Sequence, residues 1–308
     1  MDTVVMNTLH AATALTAIMM AAGNPASLPA PQDRATFTAV ARLVPVSVTV
    51  RDDRGRAVTD LKQEDFEVLS DDVVKPISNF RSEPSPITIA LLVDRSGSMR
   101  MPASTAAAKD AAHHLISWMS PEMDRLGIFA FDVSSTQTSP FGSVSPESLK
   151  SLDQLPPYGA TSLYDALDFT GAALVGDGSP RRAVVAITDG RDTASTLTAA
   201  EVASRTSIID VPVYILSITP DPNPEQSEQI ISGPRSPLEQ LTMSTGGQLF
   251  FADVPNKASI AARTIVTELR QQYLLAFTPD PRPGWHKLTV RIRQNNKTVR
   301  ARAGYVTR

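Results

Sequence analysis

Between residues 87 and 273 the hydrophobic and polar positions alternate between two kinds of segment. Continuous apolar runs, such as 184–187, predict strands that are covered on both faces, as in a parallel sheet. Longer stretches with helical spacing lie between these runs. Repeated strand–helix alternation of this length is typical of a doubly wound α/β domain with a mostly parallel, Rossmann-like sheet. We predict strands at 87–94, 125–132, 183–188, 211–218 and 248–252, and helices at 104–119, 162–175, 198–209, 237–244 and 257–269.

Both ends of the chain show the two-residue period of β-strands. Valines at 44, 46, 48 and 50 alternate with other residues, which predicts a half-buried strand, and short strands follow at 66–69 and 77–80. Near the other end, 288–292 and 299–305 alternate similarly and predict a hairpin. Three or four strands alone make a marginal sheet. We therefore expect the two ends to pair into one small β-sandwich with the α/β region inserted, a separate tail motif being the alternative.

The first residues of the chain differ from the rest. Residues 4–22 are mostly apolar and uncharged, and Ala21-Ala22-Gly23 is a small-residue cleavage candidate, although Asp2 stands where a secretion signal has positive charge. We expect an exported protein (periplasmic, secreted or at the cell surface), with a disordered leader as the alternative. No other stretch is long and apolar enough for a membrane span. The predicted organisation is a leader at 1–35, a β segment at 40–84, an α/β domain at 85–272 and a second β segment at 273–308.

Composition narrows the classes of function. The 308 residues, 42% of them hydrophobic, suffice for one large domain or two modest ones. The net charge of −3 gives no general attraction to nucleic acid, and the chain has no cysteine for disulfides, zinc sites or thiol catalysis. Gly-x-Ser-x-Gly, His-Glu-x-x-His and Walker motifs are also absent from the sequence. We therefore expect no catalytic residues, no organic cofactor and no nucleic-acid partner.

Oxygen-bearing side chains collect at the predicted ends of strands. Asp94, Ser96 and Ser98 follow the first strand of the α/β region at every second position, so their side chains are expected to converge. Thr161 precedes a predicted helix and Asp189 ends another apolar strand, at the sheet edge where doubly wound sheets bind ligands. Two carboxylates and three hydroxyls suit Mg²⁺, with Mn²⁺ or Ca²⁺ as alternatives. The competing interpretation is that these residues cap helix N-termini.

The segments Asp94-x-Ser96-x-Ser98, Gly-Ala-Thr161-Ser-Leu and Thr-Asp189-Gly resemble the three-loop signature of the von Willebrand factor A domain. The resemblance covers about 87–278, and the flanks resemble a bacterial subgroup of A-domain proteins. It implies a metal-ion-dependent adhesion site in which the two serines and the threonine touch the metal. The two aspartates would hold the metal directly or through water. The resemblance also implies that partner binding moves the last helix of the domain, 257–269.

We therefore expect a protein-binding module and not an enzyme. Family members leave one coordination position for a Glu or Asp of a protein partner. Because the hydroxyl ligands are neutral, the cation stays under-neutralised and an incoming carboxylate gains charge-assisted binding. A metal-dependent hydrolase is one alternative. The other is a scaffold whose metal site is not essential.

Several charged residues outside this set have simpler expected roles. We expect Asp132 to be a turn residue and Asp192 to be an exposed loop carboxylate, although each could support the metal site from outside. Asp165 is placed to favour a helix dipole. We expect the basic residues of the tail to form a solvated sandwich face, contact with an anionic surface being the alternative. These residues are Lys287, Arg291, Arg293, Lys297, Arg300, Arg302 and Arg308.

Overall fold

Three β-sheets organise the described part of the computed structural model, which covers residues 43–150, 159–175, 179–219, 235–294 and 296–307. The predicted leader lies outside the described residues. The strands are β1 (Val44–Asp52), β2 (Phe66–Ser70), β3 (Val73–Lys75), β4 (Ile77–Arg81), β5 (Thr88–Asp94), β6 (Arg125–Phe131), β7 (Ser135–Ser143), β8 (Arg182–Thr188), β9 (Val213–Ser217), β10 (Leu249–Phe251), β11 (Tyr273–Phe277), β12 (Gly284–Ile292), β13 (Lys297–Arg300) and β14 (Gly304–Thr307). The helices are α1 (Pro102–Trp118), α2 (Leu163–Ala173), α3 (Ala199–Ile208), α4 (Pro237–Ser244) and α5 (Pro255–Arg270).

The central sheet has the strand order β10-β9-β8-β5-β6-β7 and is parallel except for β7. Helices cover both faces, which explains why its parallel strands are mostly apolar. Alternate residues of β5 enter opposite cores: Leu91 packs with α1 and α5, and Leu92 packs with α2, α3 and α4. The predicted α/β fold class is confirmed. Among the described residues, no helix is long and apolar enough to span a membrane.

The antiparallel edge strand β7 was not predicted. It pairs with β6 along one side, with two irregularities in the register. Its residues are mostly polar and partly exposed, and it contains Pro140 and Gly142, which are typical of loops. An edge strand tolerates these residues because only one of its sides needs hydrogen-bond partners. The polar pattern therefore concealed a strand whose pairing depends on its neighbour.

The strands at the two ends of the chain form two further sheets, with the orders β13-β1-β11-β4 and β14-β12-β2-β3. Each sheet combines strands from both ends, and their inner faces share one core that includes Val48, Phe66, Tyr273 and Tyr305. The predicted small sandwich is confirmed. The predicted tail hairpin is wrong for 299–300, because β13 lies in the other sheet; the chain changes sheets between Arg300 and Gly304, and β14 then pairs antiparallel with β12.

An ion cluster joins the sandwich to the last helix of the α/β domain. Glu268 on α5 is 2% exposed, and each of its carboxylate oxygens pairs with one guanidinium, from Arg51 on β1 and from Arg300 on β13. The Tyr214 hydroxyl donates to the same carboxylate at 3.4 Å. Burial and the charge of Glu268 raise the pKa of Tyr214, so this hydroxyl keeps its proton. The cluster fixes the end of α5 against both β1 and β13.

A second contact of the same kind lies at the turn between α3 and β9. Arg302 is 3% exposed; it lies 3.4 Å from Asp210 and donates to the carbonyls of Ser207 and Pro45. Asp210 also accepts from the amide and hydroxyl of Ser47, at 3.2 and 3.0 Å. The face of β1 that was predicted to be solvated is therefore buried. The prediction of a solvated tail face is likewise wrong for Arg300 and Arg302, whose side chains are mostly buried in the contact between the sandwich and the α/β domain.

One buried side chain fastens both connections between the two parts. Arg181, 1% exposed, precedes β8 and donates to the carbonyl of Glu83, at 2.5 Å, in the segment that leads into β5. It also donates to the carbonyls of Arg270 and Gln272, where the chain leaves α5 for β11. The segments by which the chain enters and leaves the α/β domain therefore lie next to each other, and both accept hydrogen bonds from the Arg181 guanidinium.

Glu268→Gln tests the ion cluster. The variant removes the charge and leaves two mostly buried guanidiniums without a carboxylate, so we expect a loss of about 3–5 kcal/mol in the free energy of unfolding. Urea unfolding measures the change. The control Asp253→Ala removes an exposed pair with Lys257 on the same helix and should cost less than about 1 kcal/mol. Equal effects of the two substitutions would contradict the assigned role of the cluster.

A buried histidine in the sandwich gives a pH-dependent stability. Nδ1 of His286 lies 2.8 Å from an Asp71 carboxylate oxygen, and Nε2 lies 2.8 Å from the carbonyl of Arg282. Carboxylate and carbonyl oxygens only accept, so the charged imidazolium, which donates from both nitrogens, satisfies both contacts. The Thr307 hydroxyl, 3.0 Å from Nε2, donates to the same Arg282 carbonyl and can accept from the ring. The hydrogen bond to Asp71, opposed by burial, raises the pKa of His286, and the same bond lowers the pKa of Asp71.

The raised pKa fixes the direction of the pH effect. The stabilisation by His286 is complete below its ordinary pKa of 6.5 and is lost as the pH rises through the higher pKa of the folded state. We expect the urea midpoint of the protein to fall as the pH rises above the ordinary pKa of 6.5, and the fall to be smaller in His286→Gln. His113→Gln, at an exposed position on α1, is the control and should keep the fall. An unchanged fall in His286→Gln would be evidence against the imidazolium.

Candidate functional site

The predicted ligands lie at the carboxyl edge of the central sheet. β5 ends at Asp94, and its parallel neighbour β8 ends at Thr188, immediately before Asp189. On its other side β5 pairs with β6, so the strand order changes direction around β5. Doubly wound sheets bind ligands at such a switch point. The loop after β5 and the loop after β8 therefore begin side by side.

Asp94 is the buried centre of this edge. Its residue is 1% exposed; one carboxylate oxygen accepts from the Ser96 amide at 2.8 Å and the other from the Thr188 hydroxyl at 2.6 Å. Burial raises the pKa of Asp94 against the lowering effect of these hydrogen bonds, and the charge of Asp189 raises it further. Asp94 and Asp189 stand at the ends of two paired parallel strands, so a cation between their carboxylates would relieve the repulsion of like charges.

Two hydroxyls lie in the loop after β5, which is the first of the three loops; the second carries Thr161 and the third follows Asp189. The Ser96 and Ser98 hydroxyl oxygens lie 3.1 Å apart, with Ser96 buried and Ser98 half-buried. Between them, the Gly97 amide donates to the carbonyl of Gly159 at 3.0 Å. A Cβ on Gly97 would lie 3.2 Å from that carbonyl oxygen, so the absence of a side chain permits the close approach. This contact joins the first loop to the loop of Thr161, which is 4% exposed.

The loop after Asp189 holds the Thr161 loop in place. The Thr193 hydroxyl accepts from the Thr161 amide at 2.9 Å, and the Thr193 amide donates to the Thr161 carbonyl at 2.8 Å. One Asp192 carboxylate oxygen accepts from the Leu163 amide, at the first residue of α2, and from the Ser195 hydroxyl at 2.5 Å. Asp192 is thus a helix cap supplied by a distant loop, and the expectation of an exposed loop carboxylate is wrong.

The capping interpretation of the predicted ligands loses support from this arrangement. The N-cap residue of α2 is Ser162, whose side chain makes no capping hydrogen bond. Asp192 and Ser195 accept from the first amides of the helix instead. Capping of α2 therefore belongs to side chains outside the predicted ligand set.

One further acid holds the loop after Asp189, and another closes a local turn. The Asp165 carboxylate accepts from the Thr196 amide at 3.0 Å and the Leu197 amide at 2.9 Å; against the effect of burial, these bonds lower the pKa of Asp165. It therefore holds the third loop, a role beyond the predicted dipole interaction. Asp132 accepts from the Ser134 amide at 2.8 Å, as a turn residue does. The signal for these roles is a run of short polar side chains after a strand, which predicts local hydrogen bonds but not their distant partners.

The donor set fits a hard divalent cation. It combines two carboxylates with three hydroxyls, and oxygen donors of this kind suit Mg²⁺, Mn²⁺ or Ca²⁺. In the described part of the chain, no three His, Cys, Asp or Glu side chains are grouped as metal ligands. A cation at this edge would therefore need hydroxyl ligands beside the two carboxylates. Arg191, largely exposed, lies 3.9 Å from an Asp189 carboxylate oxygen at the rim.

A family comparison identifies the domain around this edge. Residues 89–191 match the family model of the von Willebrand factor type A domain, a range that includes all five predicted ligands. The likeness to this family is thus established for the central part of the α/β domain, and the sandwich lies outside the matched range. Domains of this family are protein-interaction modules, and many bind a divalent metal.

Three solved structures resemble the chain weakly. A von Willebrand factor type A protein from Catenulispora acidiphila is 12% identical over 88% of this chain and 76% of its own, with a TM-score of 0.49. BatB from Bacteroides thetaiotaomicron is 18% identical over 60% and 98%, with a TM-score of 0.48. An aerotolerance-related membrane protein from Bacteroides fragilis is 19% identical over 59% and 98%, with a TM-score of 0.47. No curated protein matches the sequence. The family model, and not these structures, identifies the domain.

Asp192→Ala tests the link between the second and third loops. Loss of the cap should destabilise the protein by about 1–2 kcal/mol and speed hydrogen exchange at the Leu163 amide, because that amide loses its acceptor. Urea unfolding and amide exchange measure the two effects. Asp168→Ala, which removes an exposed partner of Arg205, is the control and should cost at most about 1 kcal/mol. Unchanged protection of Leu163 would rule out the assigned cap.

Proposed function

We propose that this protein is a metal-dependent protein-binding module, and that residues 85–272 form its binding domain. A divalent cation, with Mg²⁺ as the preferred candidate, would be held at the carboxyl edge of the central sheet. A Glu or Asp of a partner protein would complete its coordination. The ligands would be Asp94, Ser96, Ser98, Thr161 and Asp189. The main support is the buried Asp94 carboxylate, which ends β5 beside the strand that leads to Asp189 and is followed by the Ser96 and Ser98 hydroxyls, 3.1 Å apart.

The exposure of the set favours a large partner. Asp94, Ser96 and Thr161 are buried, whereas Ser98 and Asp189 keep partial contact with solvent. Two exposed hydrophobic side chains border this side. Met101, 66% exposed, follows Ser98 by three residues, and Val133, 57% exposed, lies beside Gly159. Exposed apolar side chains around a polar centre are typical of protein interfaces, because burying them contributes to binding.

The chemistry favours capture of a carboxylate over hydrolysis. Hydroxyl ligands leave the charge of a cation incompletely neutralised, so a partner carboxylate would gain a charge-assisted bond. A hydrolase would also need a general base near the metal. The neighbouring acids Asp132 and Asp192 accept backbone hydrogen bonds, which ties them to turn and cap roles.

The apolar run 4–22 and its Ala21-Ala22-Gly23 end support export of the protein.

Asp189→Ala tests the metal site and the function together. We expect wild type to bind Mn²⁺ and Mg²⁺ in calorimetric titrations, and the variant to bind at least about tenfold more weakly. Captured proteins from native lysate should be present with Mg²⁺ and absent with EDTA or with Asp189→Ala. Asp168→Ala, outside the proposed set, should behave as wild type in both assays.

The alternatives predict different results in the same experiment. Capture that is insensitive to EDTA would favour a scaffold with a non-essential metal site. Turnover of generic phosphoester or peptide substrates with Mg²⁺ would favour a hydrolase. Wild-type protein that binds neither metal would overturn the proposal.

A further inference from the structure

Thr188 makes two hydrogen bonds of defined direction at the end of β8. Its residue is fully buried; its hydroxyl lies 2.6 Å from an Asp94 carboxylate oxygen and 3.0 Å from the Gly190 amide nitrogen. A carboxylate without its proton only accepts, and an amide N–H only donates. The single hydroxyl proton therefore goes to Asp94, and an oxygen lone pair accepts from Gly190.

The first bond contacts one carboxylate of the proposed site, and the second closes the turn that carries the other. Asp94 is the last residue of β5, whereas Asp189 lies between Thr188 and Gly190, in the turn that the second bond closes. Gly190 has a φ of +83°, so this turn needs a conformation that other residues adopt with strain. The turn also lets the Arg191 amide donate to Asp189 at 3.1 Å. One hydroxyl thus connects the first loop to the third.

We propose that Thr188 is a positioning residue for metal binding. It orients the Asp94 carboxylate by donating to it, and it fixes the turn that presents the Asp189 carboxylate, so both acids are held in place before an ion binds. This inference rests on the proposed function, because it assigns Thr188 a role at that metal site. Side chains that orient metal ligands typically change metal affinity by about 10–100-fold when they are removed.

Packing alone does not account for a threonine here. The preceding residues of β8 are apolar, and a valine has nearly the same shape and an equal preference for strands. A buried hydroxyl costs free energy unless it is hydrogen-bonded, and Thr188 makes two such bonds. Thr170 on α2 offers a contrast: it is also fully buried, and its hydroxyl has no hydrogen-bond partner among the described residues.

The contrast supplies a matched set of variants. Thr188→Val and Thr188→Ala remove the hydroxyl, Thr188→Ser keeps it, and Thr170→Val removes a hydroxyl elsewhere in the core. Mn²⁺ alone is the probe, titrated by calorimetry into the full chain. We expect the Val and Ala variants to bind Mn²⁺ about 10–100-fold more weakly than wild type, and the Ser variant and Thr170→Val to remain within about threefold. Urea unfolding in EDTA selects the folded variants, and the Ser–Ala pair is sufficient if Val does not fold.

The outcomes separate this inference from the proposed function. If wild type binds Mn²⁺ and the folded Val or Ala variant binds it equally well, Thr188 has no positioning role and the metal site still stands. If Ser and Ala weaken binding equally, the effect comes from packing and the role of the hydroxyl is refuted. If wild type binds no Mn²⁺, the proposed function fails and this inference fails with it. Faster exchange of the Gly190 amide in Ala than in Ser, measured in EDTA, would support the loss of the turn independently of metal.

Discussion

The buried arginines between the sandwich and the α/β domain are the constraint on which the arrangement of the chain depends. Arg51 and Arg300 pair with Glu268, and Arg302 pairs with Asp210, all of them mostly removed from water. Such pairs add little net stability compared with apolar packing, because taking charges out of water is costly. A misplaced sandwich would leave several of these charges buried without partners. The pairs therefore select one docked orientation.

The contact between the sandwich and the α/β domain, here called the seam, lies at the opposite end of the central sheet from the candidate metal site. Arg181 directly precedes β8, and Thr188 is the last residue of that strand, so the two are separated by roughly 20 Å of extended backbone. Asp210 likewise lies before the start of β9. The sandwich thus leaves the carboxyl edge open to a partner. α5 connects the two ends, since it follows β10 at the carboxyl edge and brings Glu268 to the seam.

Local sequence patterns predicted most of the helices and strands. The features that they did not predict depend on contacts between residues distant in the sequence. The apolar runs of β5 and β8 and the spacing of Asp94, Ser96 and Ser98 can be recognised in the sequence alone, because each reflects a short stretch of backbone. The partners of Arg302 and Asp192 come from other loops, and no local pattern identifies them. The seam also buried Ser47, which alternation had placed in solvent. The role of Thr188 was not predicted, because its hydroxyl donates to Asp94 on a neighbouring strand that is distant in the sequence.

The pairing of β1 also sets an order of assembly. Both neighbours of β1 in its sheet, β11 and β13, come from the far end of the chain. A ribosome therefore releases β1 long before its partners exist, while the central sheet can close from strands made in the meantime. Until then Val46 and Val48 have no sheet to cover them, which is the situation in which nascent chains aggregate or recruit chaperones. Every strand of the central sheet is therefore synthesised before the sandwich can be completed.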